Sequence, residues 1–351
     1  MAYGHIIYEI VNRYTLSGLN MSFYDKKVLV TGAAGFIGSH LARRLLHDGA
    51  QVTGVDNMLS GKWRNMGDLM DNKRFQFRNI DLRNLDHFDT IVRGQDFVFH
   101  LAANMGGIGW ISSIGADIMR DNLRMNINFL EACRTAGIQN ALYSSSACVY
   151  PADKQESPDV IPLKESDVTP ADPDQFYGWE KLATEKMCEA YNKDYGLHIR
   201  VLRYHNIYGP YAAWTPEKGK VINSLIRKAI CYPKELFVIW GDGKQTRSFC
   251  YVDDAIEGTL KRMESDYLEP LNIGSDRLVT IDKLAWLIIS RSGKDINVQH
   301  DLTKPQGVRG RNADLTLTKK ILEWEPRVSL EGGISTTYTW LENELAGTEQ
   351  I

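Results

Sequence analysis

A tyrosine and a lysine four positions apart are the residues of this sequence best suited to moving a proton. Tyr177 and Lys181 fall one turn apart on one face of a predicted helix, so the ammonium group can lower the pKa of the phenol from its usual value of about 10. A phenol tuned in this way exchanges a proton with a hydroxyl group while a hydride leaves the carbon that carries it. The same spacing is common on exposed helices, so the pair needs support from other motifs.

A glycine-rich turn at residues 32–38 supplies part of that support. The segment GAAGFIG follows an apolar strand and opens a helix. Gly32, Gly35 and Gly38 permit a tight turn and a close backbone approach, and the helix N-terminus offers unpaired N–H groups to a pyrophosphate. A strand-to-helix turn that binds nothing is the structural alternative, but Asp56 at the end of the next strand favours a dinucleotide. A carboxylate there binds the adenosine ribose hydroxyls and disfavours a 2′-phosphate, which predicts NAD rather than NADP.

Two further segments extend the predicted redox site. Ser144–Ser146 ends a predicted strand between the glycine turn and the tyrosine, and the three features together are far more specific than any one of them. Asp81 and Leu82 follow another predicted strand and are expected to border the adenine, although a solvated loop carboxylate explains Asp81 equally well.

Short apolar runs alternate with helical periodicity from residue 26 onward. Such alternation predicts an α/β protein with a parallel, doubly wound sheet covered by helices on both faces. The predicted strands are Lys27–Thr31, Gln51–Asp56, Phe75–Ile80, Asp96–Leu101, Ala141–Ser146 and Ile199–Tyr204, and the predicted helices are Gly35–His47, Asp117–Ala136 and Tyr177–Tyr195.

The pattern becomes less regular after Asn206, where loops rich in glycine, proline and aromatic residues predominate. This change indicates a smaller α/β domain assembled from separated segments. The predicted division is an N-terminal extension at 1–24, a dinucleotide-binding domain at 25–205 and 250–277, and a discontinuous substrate-binding domain at 206–249 and 278–347.

The overall composition excludes several classes of function. The 351 residues are 43% hydrophobic and 24% charged, with a net charge of −3, so neither nucleic acid nor an anionic membrane is an expected partner. An anionic substrate must therefore be held by a local group of cations. The five cysteines show no spacing typical of a metal site or a disulfide framework, so we expect reduced thiols, a cytoplasmic protein and no bound metal.

Several segments together resemble the extended short-chain dehydrogenase/reductase family of nucleotide-sugar enzymes, over nearly the whole chain from about residue 25. The segments that carry the resemblance are Ala102–Gly109 (AANMGGIG), Ser145–Pro151 (SSACVYP), Tyr177–Glu185 (YGWEKLATE), Tyr204–Pro210 (YHNIYGP), Trp240–Phe249 (WGDGKQTRSF) and Gly307–Asn312 (GVRGRN). The resemblance implies a Rossmann-type fold, bound NAD and a redox triad of Ser146, Tyr177 and Lys181. It also implies a homodimer formed by the helical segments near 117–136 and 181–195.

Within this family the sequence is most similar to members that epimerise a nucleotide sugar, which implies GDP-mannose or a close relative as the substrate. By alignment with such enzymes, Cys148 and Lys220 are the base and acid that exchange protons with a C4-keto sugar at C5, at C3 or at both. A small buried hydrophobe is the structural alternative for Cys148, and Lys218, two residues from Lys220, leaves the register of the lysine open.

The resemblance also assigns residues to the two ligands. The expected cofactor-binding set is Gly32, Gly35, Phe36, Ile37, Gly38, Asp56, Asp81, Leu82, Ala102, Tyr177 and Lys181. The expected substrate-binding set is Met105, Gly106, Gly107, Ser146, Asn206, Lys220, Arg247, Arg309 and Arg311. Arg309 and Arg311 suit bidentate binding of a diphosphate, although two surface cations are the alternative.

Two other functions are compatible with parts of the pattern. A 4-epimerase, or an enzyme that oxidises C4 of another nucleotide sugar such as a GDP-heptose, would use the same redox triad without Cys148 and Lys220. A non-catalytic NAD-binding regulator or an RNA-binding relative is the rival from a different class. Such proteins tend to lose the tyrosine or the lysine of the pair, and both are present here.

Overall fold

The structure is a computed structural model that describes residues 20–173 and 175–348. Most of the predicted N-terminal extension lies outside the described residues. Its predicted end at residue 24 is set too late, because Phe23 is fully buried and packs edge-on against Phe97 at 5.0 Å between ring centroids. An aromatic side chain in that position covers one face of the central sheet and belongs to its core.

The described residues form fourteen strands, namely β1 (Lys27–Thr31), β2 (Gln51–Asp56), β3 (Phe75–Asn79), β4 (Phe97–His100), β5 (Ala141–Ser146), β6 (Ile199–Tyr204), β7 (Ile207–Tyr208), β8 (Phe237–Trp240), β9 (Thr246–Ser248), β10 (Cys250–Tyr251), β11 (Leu271–Ile273), β12 (Leu278–Thr280), β13 (Val298–Asp301) and β14 (Gly310–Arg311). The central element is a parallel sheet of seven of them, counted over the described residues, in the order β3-β2-β1-β4-β5-β6-β11. This confirms the predicted doubly wound fold.

Helices cover both faces of this sheet. Alternate residues of β1 enter different cores, since Val28 and Val30 belong to one apolar cluster and Leu29 to the other. The described helices are α1 (Phe36–His47), α2 (Leu85–Val92), α3 (Ile108–Ser113), α4 (Gly115–Ala136), α5 (Phe176–Tyr195), α6 (Val221–Cys231), α7 (Val252–Glu264), α8 (Ile281–Ser292), α9 (Thr316–Leu322) and α10 (Leu330–Thr348). Helices α1 and α7 pack together in the first core, and α2, α4 and α5 in the second.

The strand order reverses between β1 and β4, which opens a crevice at the carboxyl ends of these two strands. The smaller part of the fold is built from later segments of the chain. It contains a three-stranded sheet, β12-β9-β14, and a pair formed by β13 and β8. Both parts contribute residues to one cleft, so the fold brings strand ends of the large sheet against loops from the second half of the sequence.

Helix α5 approaches the loop after β5 so closely that one glycine is required. A Cβ atom added to Gly178 would lie 2.1 Å from the carbonyl oxygen of Cys148. We expect Gly178→Ala to destabilise the protein by about 1–3 kcal/mol, because the added methyl group forces apart two packed backbone segments. Urea unfolding of the variant and the unsubstituted protein measures this difference.

Gly67→Ala is the matched control, because a Cβ atom there would meet no atom within 4 Å. Its stability should change little. Equal free energies of unfolding for the two alanine variants would contradict the close packing described here.

Candidate active site

A cleft of about 1050 Å³ runs from the glycine turn to the loops of the smaller part of the fold. Its volume suits a dinucleotide together with a second ligand rather than one small molecule. Most of the residues predicted from the sequence line it. They include Gly32, Gly35, Phe36, Ile37, Gly38, Asp56, Leu82, Ala102, Met105, Gly106, Gly107, Ser146, Cys148, Tyr177, Lys181, Asn206, Lys220, Arg247 and Arg311.

The glycine turn has the geometry of a phosphate cradle. Gly32 has a left-handed backbone (φ +70°), and a Cβ atom at Gly38 would lie 2.1 Å from the Gly32 carbonyl oxygen. Gly35 caps α1 without a side-chain hydrogen bond, so the first N–H groups of the helix have no side-chain acceptor at this cap. These residues fit the pyrophosphate of NAD, and a larger side chain at Gly38 would fill the turn.

Asp56 closes the ribose end of the same cradle. One of its carboxylate oxygens accepts a hydrogen bond from the Ala34 N–H at 3.1 Å, and the other accepts one from the Met58 N–H at 2.9 Å. These bonds fix the carboxylate between β2 and the glycine turn. Burial raises the pKa of Asp56 above its ordinary value, and the two backbone bonds oppose that shift.

Asp81 differs from its predicted role beside the adenine. Its carboxylate is bound by the guanidinium of Arg83 at 2.5 Å, and Asp81 is absent from the described residues that line the cleft. The neighbouring Leu82 does line it. The carboxylate therefore orients an arginine that reaches the cleft, and this accounts for its position better than contact with a cofactor.

The three predicted redox residues meet at the carboxyl end of β5. The ammonium group of Lys181 donates to the Ser144 carbonyl at 2.9 Å and lies 5.5 Å from the centre of the Tyr177 ring. The Ser146 hydroxyl hydrogen-bonds to Tyr177 and also accepts the backbone N–H of Cys148 at 3.2 Å. Tyr177 and Lys181 are almost completely buried, so proton exchange at this point is screened from bulk water.

Burial, rather than the lysine, dominates the ionisation of Tyr177. Loss of hydration raises its pKa well above the usual value, the charges of Glu180 and Cys148 raise it further, and only the bond from Ser146 lowers it. Burial likewise lowers the pKa of Lys181. Burial therefore has the largest effect on the phenol of this protein, and the lowering of its pKa by Lys181 stays a prediction.

Cys148 is partly exposed in the cleft and lies beside a buried arginine. A terminal nitrogen of Arg311 donates to the Cys148 sulfur at 3.5 Å, and Nε of Arg311 donates to the Gln155 side chain at 2.5 Å. Gln155 is fully buried and is held in turn by the carbonyls of Tyr150 and Pro151. The guanidinium is thus fixed close to the thiol, a contact that the sequence did not predict.

Lys220 and Lys218 point to different surroundings. Lys220 precedes α6 and lines the cleft, where burial lowers its pKa while the nearby Cys148 acts in the opposite direction. The ammonium group of Lys218 instead lies over the Trp110 ring, 4.2 Å from its centre. The register left open by the sequence therefore favours Lys220 as the lysine that faces the thiol.

Of the two other arginines predicted to bind the substrate, one lines the cleft and the other does not. Arg309 is bound to Asp242 at 2.9 Å and, unlike Arg311, is absent from the described residues lining the cleft, so its predicted diphosphate contact is not supported. Arg247 lines the cleft and donates to the Val308 carbonyl at 2.6 Å. A Cβ atom at Gly107 would lie 2.7 Å from the Gly219 carbonyl oxygen, so the loops that carry Gly107 and Lys218 touch across the cleft.

The fold and the redox residues together define an NAD-dependent enzyme of the Rossmann type. The chain belongs to the NAD-dependent epimerase/dehydratase family, whose model matches residues 28–274. This confirms the family resemblance and the cofactor expected from the glycine turn and Asp56. No helix among the described residues combines the length and the apolar character needed to cross a membrane.

Individual relatives are similar over most of their length. The GDP-mannose 3,5-epimerase of Arabidopsis thaliana is 42% identical over 338 residues, which cover 95% of this chain and 87% of the relative. GDP-mannose 3,5-epimerase 1 of Oryza sativa subsp. japonica is 43% identical, covering 91% and 82%. Among solved structures, the UDP-glucose 4-epimerase of Thermotoga maritima with UDP-glucose has a TM-score of 0.82, 31% identity and coverage of 91% and 99%. The UDP-glucuronic acid 4-epimerase of Bacillus cereus, in complex with UDP-glucuronic acid and NAD, has a TM-score of 0.77, 30% identity and the same coverage.

The position of Asp56 predicts how the protein distinguishes two dinucleotides. Asp56→Asn should weaken NAD binding and raise the affinity for NADP relative to NAD by about tenfold or more, because repulsion of the 2′-phosphate is removed. Titration of cofactor-free protein with each dinucleotide measures the ratio. Asp81→Asn is the control and should leave the ratio unchanged, since Asp81 faces Arg83. An unaltered ratio in Asp56→Asn would show that the carboxylate does not contact the ribose.

Proposed function

We propose that this chain catalyses the 3,5-epimerisation of GDP-mannose, using NAD that is regenerated in each turnover. The observation that carries the proposal is the presence of Cys148 and Lys220 in the cleft that also holds Tyr177, close enough for the thiol to influence the pKa of the lysine. The plant relatives of 42–43% identity support the choice of sugar and nucleotide. A simple 4-epimerase needs no second acid–base pair.

The first step is oxidation at C4 of the hexose. Tyr177 accepts the proton of the C4 hydroxyl, and Ser146 orients that hydroxyl by hydrogen bonding. Bound NAD⁺ would supply the acceptor for the C4 hydride and the source of the hydride that returns at the end. The ammonium group of Lys181, which lies 5.5 Å from the centre of the Tyr177 ring, stabilises the phenolate as it forms.

The second step depends on the ketone that the first step creates. A proton at C3 or C5 becomes removable because the resulting carbanion is delocalised as an enolate onto the C4 oxygen. Cys148 removes this proton as a thiolate, and Lys220 delivers a proton to the opposite face of the same carbon. A terminal nitrogen of the Arg311 guanidinium lies 3.5 Å from the Cys148 sulfur and holds the side chain in place in the cleft.

The nucleotide diphosphate is held by a cation of the cleft. Arg247 lines the cleft, whereas Arg311 lies against Cys148 and Arg309 is engaged by Asp242. Guanidinium groups suit phosphate oxygens because of their planar arrangement of N–H donors. We assign Arg247 to the diphosphate, with Asn206 near the sugar.

We also propose that the protein is a cytoplasmic homodimer. Apolar side chains of α4 and α5 remain exposed, namely Ile127, Phe176 and Trp179, and such a surface is typical of an interface between copies. All five cysteines are free thiols, as expected in a reducing compartment. Light scattering of the purified protein tests the dimer.

Exchange of carbon-bound hydrogen separates this activity from 4-epimerisation. Turnover of GDP-mannose in D₂O should place deuterium at C5, at C3 or at both, because protons removed by Cys148 are replaced by Lys220 from solvent. Inversion at C4 alone uses only the returning hydride and leaves carbon unlabelled. Mass spectrometry and proton NMR of the product measure the label. Product formation without deuterium on carbon would replace the proposal with the 4-epimerase activity of the UDP-sugar relatives.

Variants of the acid–base pair test the residues themselves. Cys148→Ser should still oxidise C4 transiently but lose the labelling, since a hydroxyl group is too weak an acid to supply the base at neutral pH. Lys220→Ala should also lose labelling. Lys218→Ala is the matched control and should retain it, because Lys218 contacts Trp110. Loss of label in Lys218→Ala but not in Lys220→Ala would reverse the assignment.

A further inference from the structure

A buried carboxyl group lies beside the redox lysine and has no part in the steps above. Glu180 is completely buried, and its Oε1 lies 3.8 Å from Nζ of Lys181. The two residues stand three and four positions after Tyr177, so all three share one face of α5. An ionised carboxylate is costly to bury unless charged or polar partners surround it, so its presence at this point calls for a function.

Two asparagines of α4 hold this carboxyl group in place. Asn122 donates to Oε1 at 2.8 Å, and Asn126 donates to Oε2 at 3.0 Å. Because each oxygen accepts a separate amide, the plane of the carboxyl group is fixed and Oε1 faces Lys181. Both oxygens act as acceptors, which is the arrangement that suits the ionised form.

The orientation of Asn126 follows from a longer chain of hydrogen bonds. Its carbonyl oxygen lies 3.1 Å from Nε2 of His100, whose pKa burial lowers to about 3, so the imidazole is neutral. The other ring nitrogen lies 2.9 Å from the Thr31 hydroxyl, which accepts the backbone N–H groups of Leu101 and Ala102. A neutral His100 donates to Asn126 and accepts from Thr31, so every bond in the chain has a consistent direction toward Glu180.

Other titratable groups surround Glu180 and Lys181, but each of them is either neutral or paired with an opposite charge. His100 and Tyr143 are neutral and buried on β4 and β5, and Cys188 is a buried thiol on α5. Glu185 is neutralised by Arg203, whose guanidinium lies 2.7 Å from its carboxylate. Cys148 and Glu180 are left as the groups whose charge acts on Tyr177 and Lys181 together.

We propose that Glu180 is a positioning residue whose carboxylate is the fixed counter-ion of Lys181, and that its charge sets the pH range over which Tyr177 and Lys181 work. The inference rests on the proposed function, because that function gives the tyrosine and the lysine their roles. A negative charge at this site favours the protonated form of both neighbours. It thereby keeps Lys181 as an ammonium ion in a buried site, and it makes the phenolate of Tyr177 a stronger base for the proton of the C4 hydroxyl.

The proposal is tested with Glu180→Gln, which keeps the shape of the side chain and removes its charge. Both neighbouring pKa values should fall, so both limbs of the profile of kcat/KM against pH should move to lower pH by about one unit. Glu180→Asp retains the charge and should retain the position of both limbs, even at a reduced rate. Glu189→Gln is the control, because Glu189 is an exposed carboxylate of the same helix. A lower rate with an unshifted profile would overturn the proposal and leave Glu180 a purely structural residue.

A second measurement needs no substrate. The phenolate absorbance of Tyr177 is obtained as the difference between the NAD-loaded protein and its Tyr177→Phe variant, and its midpoint should fall by about one pH unit when Glu180→Gln is added to both. Absence of GDP-mannose turnover by the unsubstituted protein would contradict only the proposed function. An unmoved phenolate midpoint would contradict this inference. Asn122→Ser, which weakens one hydrogen bond to the carboxylate, should move the midpoint in the same direction by less, and it provides the test if Glu180→Gln does not fold.

Discussion

The close approach of α5 to the loop after β5 is the constraint on which the site depends. Gly178 lies against the Cys148 carbonyl, and this contact brings the side chains of α5 close to those of the loop after β5. On the helix side are Tyr177 and Lys181, to which we assign the oxidation of C4, and on the loop side are Ser146 and the Cys148 thiol. In the proposed reaction, a helix displaced by the width of one methyl group would separate that oxidation from the proton exchange assigned to Cys148.

Local patterns were sufficient to predict the large sheet and the placement of Tyr177 and Lys181 on one helix. Strands such as Ala141–Ser146 end where predicted, because continuous apolar runs are buried on both faces of a parallel sheet. The glycine turn was predictable for a similar reason, since its chemistry is contained within seven consecutive residues. Tyr177 and Lys181 needed only the period of one helix to be placed together.

Features that depend on distant partners were not predictable from the sequence. Arg309 and Arg311 look equivalent in GVRGRN, yet one is bound by Asp242 and the other by Gln155, which lie 67 and 156 residues away along the chain. Glu180 lies within the segment YGWEKLATE, but its two asparagine partners come from another helix, α4. The ionisation of Tyr177 is governed by burial, and the extent of burial follows from the packing of the whole domain rather than from the adjacent lysine.

The contact between the loops at 105–110 and 214–219 has a consequence for the order of events in the cleft. Lys218 lies over Trp110, and the backbones meet at Gly107 and Gly219, so loops from the two halves of the fold are joined across the cleft. In the proposed reaction, a ketone bound beneath this contact would leave only when the loops part. The residence time of that intermediate would then be set by loop opening, and the number of carbons inverted before release would depend on the rate of opening as well as on the bases.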